Sequence, residues 1–366
     1  MQARAFAPVV PFLAFAALVH CGSSSSAVAP GAPPIVADSG PAEASAPIVE
    51  PPDAGADAAL PDAAPALAPM TTSRSLFAAI NGKDGRIRSL GGLTPKGLDD
   101  SAEAYDPVAN TWTPATSHAS VRRYGHAATQ DAEGHVVVLG GTSNGTNPIA
   151  SVEMFSPADD SWTQLEDLPT ARLGLGAATG KDGRIYAIGG RDASGAPTTV
   201  VEIYSPATHS WSTGPSLTTA RLSLVAVTGA DGKIYAIGGR DAKAVPLAVV
   251  EALDVDSGTW STVQPLLTPR YWFGATLGAD GRIFALGGLD DLGFIDAIEA
   301  FTPGSGWTSL GTMPEARGWV SAAASPDGRV FAIGGSTPQD DVLAGMQPPP
   351  MKTMLAFDPK TGTWQK

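Results

Sequence analysis

The 366-residue chain has a single cysteine, Cys21, and only 16% charged residues. One thiol excludes an intramolecular disulfide and any cysteine-based metal site. Basic residues are also scarce: 23 Lys and Arg stand against 36 Asp and Glu, for a formal net charge of −13. That balance excludes the electrostatic footprint of a nucleic-acid binder. The five histidines, His20, His118, His126, His135 and His209, show no metal-ligand spacing. There is no catalytic triad, phosphate loop or nucleotide fingerprint. No catalytic residue, metal or cofactor is assigned. What the chain has in quantity is glycine (42) and proline (32), with 43% hydrophobic residues. Such a composition suits short strands joined by many turns and argues against a helical bundle or a coiled coil.

Residues 1–21 have the layout of an export signal: a short n-region with Arg4, then an apolar stretch from Phe6 to Val19 interrupted by Pro8 and Pro11. The stretch is too short for a spanning helix. It ends at Leu18-Val19-His20-Cys21, which resembles a bacterial lipobox, in which the signal is cut before a cysteine that then carries lipid. His20 departs from that pattern, where Gly, Ala or Ser is usual. The resemblance implies a lipid anchor at Cys21, and Ser23 rather than Asp at the second mature position implies the outer membrane, facing either the periplasm or the surface. The alternative is a free thiol after an ordinary secretory signal and a secreted protein. Residues 22–70 are rich in Ala and Pro, carry only acidic charges and hold no aromatic. They cannot bury enough apolar area to offset their ordering entropy and read as a disordered tether.

Residues 71–366 are built from six repeats. A glycine pair recurs at Gly91-Gly92, Gly140-Gly141, Gly189-Gly190, Gly238-Gly239, Gly287-Gly288 and Gly334-Gly335. An arginine precedes each pair by 17 positions: Arg74, Arg123, Arg172, Arg221, Arg270 and Arg317. An acidic-Gly turn lies between them, and a tryptophan follows (Trp112, Trp162, Trp211, Trp260, Trp307, Trp364). Five repeats place a glutamate before the tryptophan (Glu103, Glu153, Glu202, Glu251, Glu299), and the sixth has Leu355 there. Each unit reads as four strands, a to d, with the acidic-Gly turn making the a–b hairpin. Units of this kind expose both faces and are expected to bury them against one another in a ring. Pro65–Met70 resemble the segment after strand d, as in Leu168–Thr170, and are a candidate for completing the last blade.

The order Arg, acidic-Gly, aromatic, Gly-Gly, Glu-x-aromatic, Trp resembles the kelch repeat, most closely in Ile185–Gly190 and Ile234–Gly239. The resemblance covers residues 74–366 and implies an all-β, six-bladed β-propeller. The residues that recur in every blade read as scaffold. Function is expected where blades differ, on the face that carries the d–a and b–c loops. The residues singled out there are Tyr124, His126, Arg191, Asp192, Arg240, Asp241, Tyr271, Trp272, Asp290, Asp291 and Trp319. By resemblance, Trp272 and Trp319 face the kelch ligand surface. Exposed aromatics beside carboxylates suit a glycan; Trp, Tyr and Arg together suit a protein hot spot; a third reading has the two tryptophans plugging the channel. The sixth b–c loop is longer and includes Gln347–Pro350, as a lid, a partner contact or a tolerated insertion. A monomer that binds an envelope protein or glycan is expected. Copper-oxidase chemistry of the galactose oxidase type is excluded, since it needs a cysteine linked to a tyrosine, with histidine ligands, and the single cysteine, Cys21, lies in the signal. A sialic-acid mutarotase-like or other sugar-processing activity is the alternative, with Arg123, His126 and Asp290 as the acid–base groups.

Overall fold

The computed structural model describes residues 65–338 and 348–366. The export signal, Cys21, most of the tether and the core of the long sixth b–c loop lie outside the described residues. Six four-stranded antiparallel sheets follow one another along the chain, each with its strands in sequential order. In blade three, strand a is Gly176–Thr179, b is Ile185–Ile188, c is Val201–Ser205 and d is Ser210–Thr213. The expected six-bladed propeller is what forms. The innermost strands are Ala78–Asn81, Ala127–Gln130, Gly176–Thr179, Val225–Thr228, Gly274–Leu277 and Ser321–Ala324. Each packs beside the next, and the last packs beside the first.

The blades pack through apolar clusters that cross from one sheet to the next. One holds Tyr186, Ile188 and Ile203 of blade three with Leu224, Ile234 and Leu253 of blade four. On the outer strands five of the six repeat tryptophans meet the aromatic of strand c, as in Tyr204–Trp211 and Phe357–Trp364, with centroids 5.3 and 5.0 Å apart, while Trp260 faces Leu253. Trp112, Trp211 and Trp260 also donate their indole N–H to carbonyls of the connecting segment before their own blade. The tryptophans therefore hold the perimeter, although the buried indole N–H groups of Trp162 and Trp307 have no partner among the described residues.

The glycine pair and the arginine explain each other. The second glycine of each pair donates its N–H to the carbonyl of the next repeat's arginine, from Gly92→Arg123 round to Gly335→Arg74, at 2.7–2.9 Å. A Cβ on the first glycine would meet that same carbonyl at 2.4–2.9 Å in five of the six blades, and both glycines have positive φ. Only glycine satisfies both demands. The arginine side chain then turns into its own blade. Arg172 Nη1 donates to the carbonyls of Ala187, Gly189 and Val200, and its Nη2 pairs with Glu202 at 2.6 Å. The same ion pair forms between Arg74 and Glu103, Arg123 and Glu153, Arg221 and Glu251, and Arg270 and Glu299, all buried. Four of these glutamates also accept amides from the incoming connection, as Glu153 does from Ser120 and Glu251 from Thr218 and Thr219.

Blade six solves the missing glutamate locally: Glu315, two residues before Arg317, takes the guanidinium, and Leu355 packs in an apolar cluster instead. The N-terminal segment closes the ring at the same blade. Met70 donates to Lys352 and Arg74 to Met351, the counterparts of Leu168→Ala150 and Arg172→Ile149, while Leu67 donates to the carbonyl of Lys366. Leu67 and Met70 sit in one cluster with Phe331, Ile333 and Met354.

Two stability outcomes follow. Gly189→Ala places a Cβ 2.9 Å from the Arg221 carbonyl at φ +60, and urea unfolding is expected to show a loss of at least about 1–2 kcal/mol from backbone strain alone. Glu251→Leu strands a buried guanidinium and is expected to cost about 3–5 kcal/mol. Adding Thr219→Glu, which copies the blade-six arrangement, is expected to recover most of that loss in the same assay.

Candidate functional site

The d–a and b–c loops share one face, stitched by bridges such as Leu173↔Arg191, Leu222↔Arg240 and Tyr271↔Leu289. At its centre the chain builds a closed ring of backbone hydrogen bonds. Gly125 donates to Leu76, Gly174 to Gly125, Ser223 to Gly174, Trp272 to Ser223, Trp319 to Trp272, and Leu76 back to Trp319, at 2.6–3.2 Å. Each of these residues lies two positions after its repeat arginine, and each has a positive φ, between 48° and 65°. For Leu76, Ser223, Trp272 and Trp319 that conformation costs about 1–2 kcal/mol each relative to a right-handed one. The ring of bonds and the surrounding sheet hold them there.

Side-chain size around this ring is complementary. Trp272 of blade five reaches across the channel to blades two and three: a Cβ built on Gly125 or Gly174 would sit 3.2 Å from its Cη2. The indole thus roofs the central channel, a space of about 680 Å³ lined by the six inner strands. Leu76, Gly125, Gly174 and Ser223 are buried at this roof. Of the three readings of the tryptophan pair, the placement of Trp272 corresponds to the plug. Trp319 is half-buried, beside Trp272 in the ring, and its indole packs edge-to-face on Phe294 of the blade-five b–c loop, with centroids 5.2 Å apart.

The other singled-out residues divide into two groups. Over blades four to six, Arg240 stacks on Tyr271 at 5.1 Å. Burial pushes the Tyr271 phenol up, and the nearby charges of Arg240, Asp291 and Asp290 also act on it. Asp290 accepts the amides of Leu292 and Gly293, and Asp241 those of Lys243 and Val245, so both carboxylates cap their own turns. Asp291 and Leu292 are exposed, Leu292 at 97%. Over blades two and three, Arg191 donates to Thr146 O at 2.6 Å, and Tyr124 is buried with its hydroxyl on Gly145 O. Asp192 accepts from Ser194, which holds its carboxyl below the usual range.

His126 stands apart. Three positions after each repeat arginine the other blades carry Phe77, Leu175, Leu224, Phe273 and Val320, each packed under the glycine pair of the preceding blade. His126 fills that slot in blade two, with its Cε1 2.9 Å from where a Cβ on Gly91 would lie. Neither ring nitrogen makes a hydrogen bond of normal geometry among the described residues. Burial, reinforced by the Arg123 charge and only partly offset by the Leu90 backbone, pushes its pKa down to about 3. Arg123 is committed to Glu153, and Asp290 belongs to blade five, so Arg123, His126 and Asp290 do not converge as an acid–base set.

Leu292, Phe294 and the facing glycines of the roof were not singled out from the sequence. Aligning the six repeats at the second residue after the arginine exposes the roof pattern Leu, Gly, Gly, Ser, Trp, Trp; Leu292 carries no such register signal. One convergent group of metal-ligand types also escaped notice: Asp131, Glu133 and His135 in the blade-two a–b turn, with ligand atoms within 4.8 Å of one another. Asp131 already accepts three turn amides and contacts His135 Nδ1 at 2.8 Å.

The buried imidazole makes a pH-dependent contribution. Its folded pKa lies below the unfolded value of 6.5, so only the unfolded chain takes up the proton as pH falls. Stability from this site is complete above about pH 6.5 and is lost progressively between 6.5 and 3. Chemical unfolding of His126→Leu beside the parent chain is expected to show a shallower loss of stability across that window, with little difference at pH 8.

The sequence comparisons agree with this geometry. The family model described as the KLHDC2/KLHL20/DRC7 Kelch-repeats domain matches residues 78–288. Kelch domain-containing protein 8B of Homo sapiens is 32% identical over 114 residues, covering 28% of this chain and 32% of that protein. The F-box/kelch-repeat protein At1g22040 of Arabidopsis thaliana is 26% identical over 97 residues, covering 26% of this chain and 20% of that protein. The matches therefore span a third or less of these curated relatives. Among solved structures, that titled "Structure of YjhT" superposes with a TM-score of 0.68 at 15% identity, over 82% of this chain and 99% of that one, a likeness of fold. With six blades joined by the same Arg and Gly-Gly contacts, five of them sharing the repeat Glu, and a family model covering more than half its length, the chain belongs to the kelch-repeat domain family.

Proposed function

We propose that the propeller is a binding module whose d–a and b–c face takes a protein partner over blades four to six. The kelch fold is consistent with a protein-interaction module. The observation that carries the reading is the patch itself. Trp319 on Phe294, Tyr271 under Arg240, Leu292 at 97% exposure and Val245 at 44% lie on neighbouring loops of one face. Trp, Tyr and Arg dominate protein hot spots. Asp241 and Asp290 spend acceptor capacity on their own turns, which weighs against a glycan at this face, where free carboxylates would meet sugar hydroxyls. Binding needs no convergent acid–base group, and the groups named for a sugar-processing reaction are separated or buried.

The leader sequence supports an exported chain, lipid-anchored at Cys21. Metabolic labelling with tritiated palmitate in a bacterial host is expected to mark the parent chain and not Cys21→Ser; equal labelling, or none in either, overturns the anchor.

For the face itself, the chain is immobilised and partners are captured from envelope extract, beside Trp319→Ala and Leu292→Asp. Loss of the captured protein by at least about thirtyfold in Trp319→Ala is expected, as for a hot-spot residue. A partner retained equally by both variants places binding elsewhere and sinks the reading.

A further inference from the structure

The roofed channel has a second mouth. Along the first inner strand, exposure rises from buried Ala78 to exposed Asn81 at the a–b turn. The space is therefore a well: closed by Trp272 and the hydrogen-bond ring at one end, and open among the a–b turns at the other. Each inner strand pairs only with strand b of its own sheet, so its other edge faces the lumen with backbone donors and acceptors.

We propose that this well is a binding site for a small neutral polyol of single-ring size, entering from the a–b turn face, distinct from the protein-binding face. Three observations argue for that chemistry. The volume of about 680 Å³ falls within the range of small-molecule sites. Apart from Lys83, which stands at the lip with its ammonium on the Ala132 carbonyl, the wall has no Lys, Arg, Asp or Glu: Leu, Ile, Phe, Trp, Val, Ala and Gly line it together with the neutral polar Thr, Ser, Asn and Gln and the buried His126. The neutral His126 turns its imidazole into the blade interface rather than adding a charge. An ion leaving water for such a well finds no counter-charge, whereas a neutral molecule rich in hydroxyls finds partners.

Those partners form a belt at the open end. Thr179 Oγ1 donates to Gln130 O, Thr228 Oγ1 donates to Thr179 O, and Asn81 Nδ2 donates to Thr276 Oγ1. Hydroxyl and amide oxygens in this belt retain acceptor capacity for a ligand. At the closed end the indole of Trp272 offers an apolar platform for ring C–H groups. A ring with polar rim and apolar face matches a belt of hydroxyls below an aromatic plate; a flat hydrocarbon leaves the belt unpaired.

The test uses the full chain labelled with 15N at its tryptophan indoles, the Trp272 resonance being assigned by its loss in Trp272→Phe. The probes are myo-inositol, cyclohexanol and glucuronate. Saturable shifts of the Trp272 resonance are expected with myo-inositol, with at least about tenfold weaker effects from the other two. Thr228→Val, which removes one belt hydroxyl and keeps the shape, is expected to weaken myo-inositol binding several-fold while the spectrum reports a folded chain. Leu292→Asp, a partner-face change at a residue that does not line the well, is expected to bind myo-inositol as the parent does, which separates this site from the partner face whichever of the two fails. A Trp272 resonance indifferent to myo-inositol, or a shift with equal affinity for cyclohexanol, overturns the proposal. So does binding that Thr228→Val and a lip variant, Asn81→Leu, both leave unchanged.

Discussion

The carbonyl of the repeat arginine is the point on which the ring turns. It accepts the amide of the preceding blade's second glycine, six times around the circle, while the guanidinium on the same residue is anchored in its own blade. One residue thus reads the position of two sheets at once. The glycine pair follows from this contact, because the carbonyl lies where any Cβ would be. The glutamate follows too, because a guanidinium withdrawn from water needs a charge beside it. Blade six shows that the physical demand is for a carboxylate and not for a position: Glu315 meets it from the connecting segment when Leu355 replaces the usual glutamate.

Inside that frame a second, narrower ring sets the floor of the binding face and the roof of the well. The conformational strain of Trp272 and Trp319 is sustained by neighbours on both sides in the ring. The result divides the molecule's axis into two environments. One end is a surface of apolar and aromatic loops over blades four to six. The other is an uncharged recess bordered by hydroxyls.

Much of this was legible in the sequence. The spacing of Arg, acidic-Gly, Gly-Gly and Trp carries the blade count, the strand order and the loop face, because each marker answers to a backbone contact that recurs in every unit. The site was legible only in part. Trp272 and Trp319 were found by comparing blades, but the reach of an indole across the axis depends on the closed circle, which no single repeat contains. His126 looked like a pocket residue because imidazoles often are; its register with Phe77, Leu175 and Phe273 marks it instead as a core position. Asp192, Asp241 and Asp290 looked available, and each is largely occupied by its own turn. Local hydrogen bonding of this kind is common for aspartate in loops and competes with any ligand role.

The roof ties the number of blades to the identity of single residues. In a ring of six, blade five faces blade two, and the indole of Trp272 finds Gly125 opposite it only because the count is even and equal to six. Gaining or losing one repeat would leave every local contact within a blade intact, yet would rotate Gly125 off that diameter and set the indole against a different blade. Duplication, the easiest change for a repetitive gene, is thereby opposed by a contact between blades that share no border.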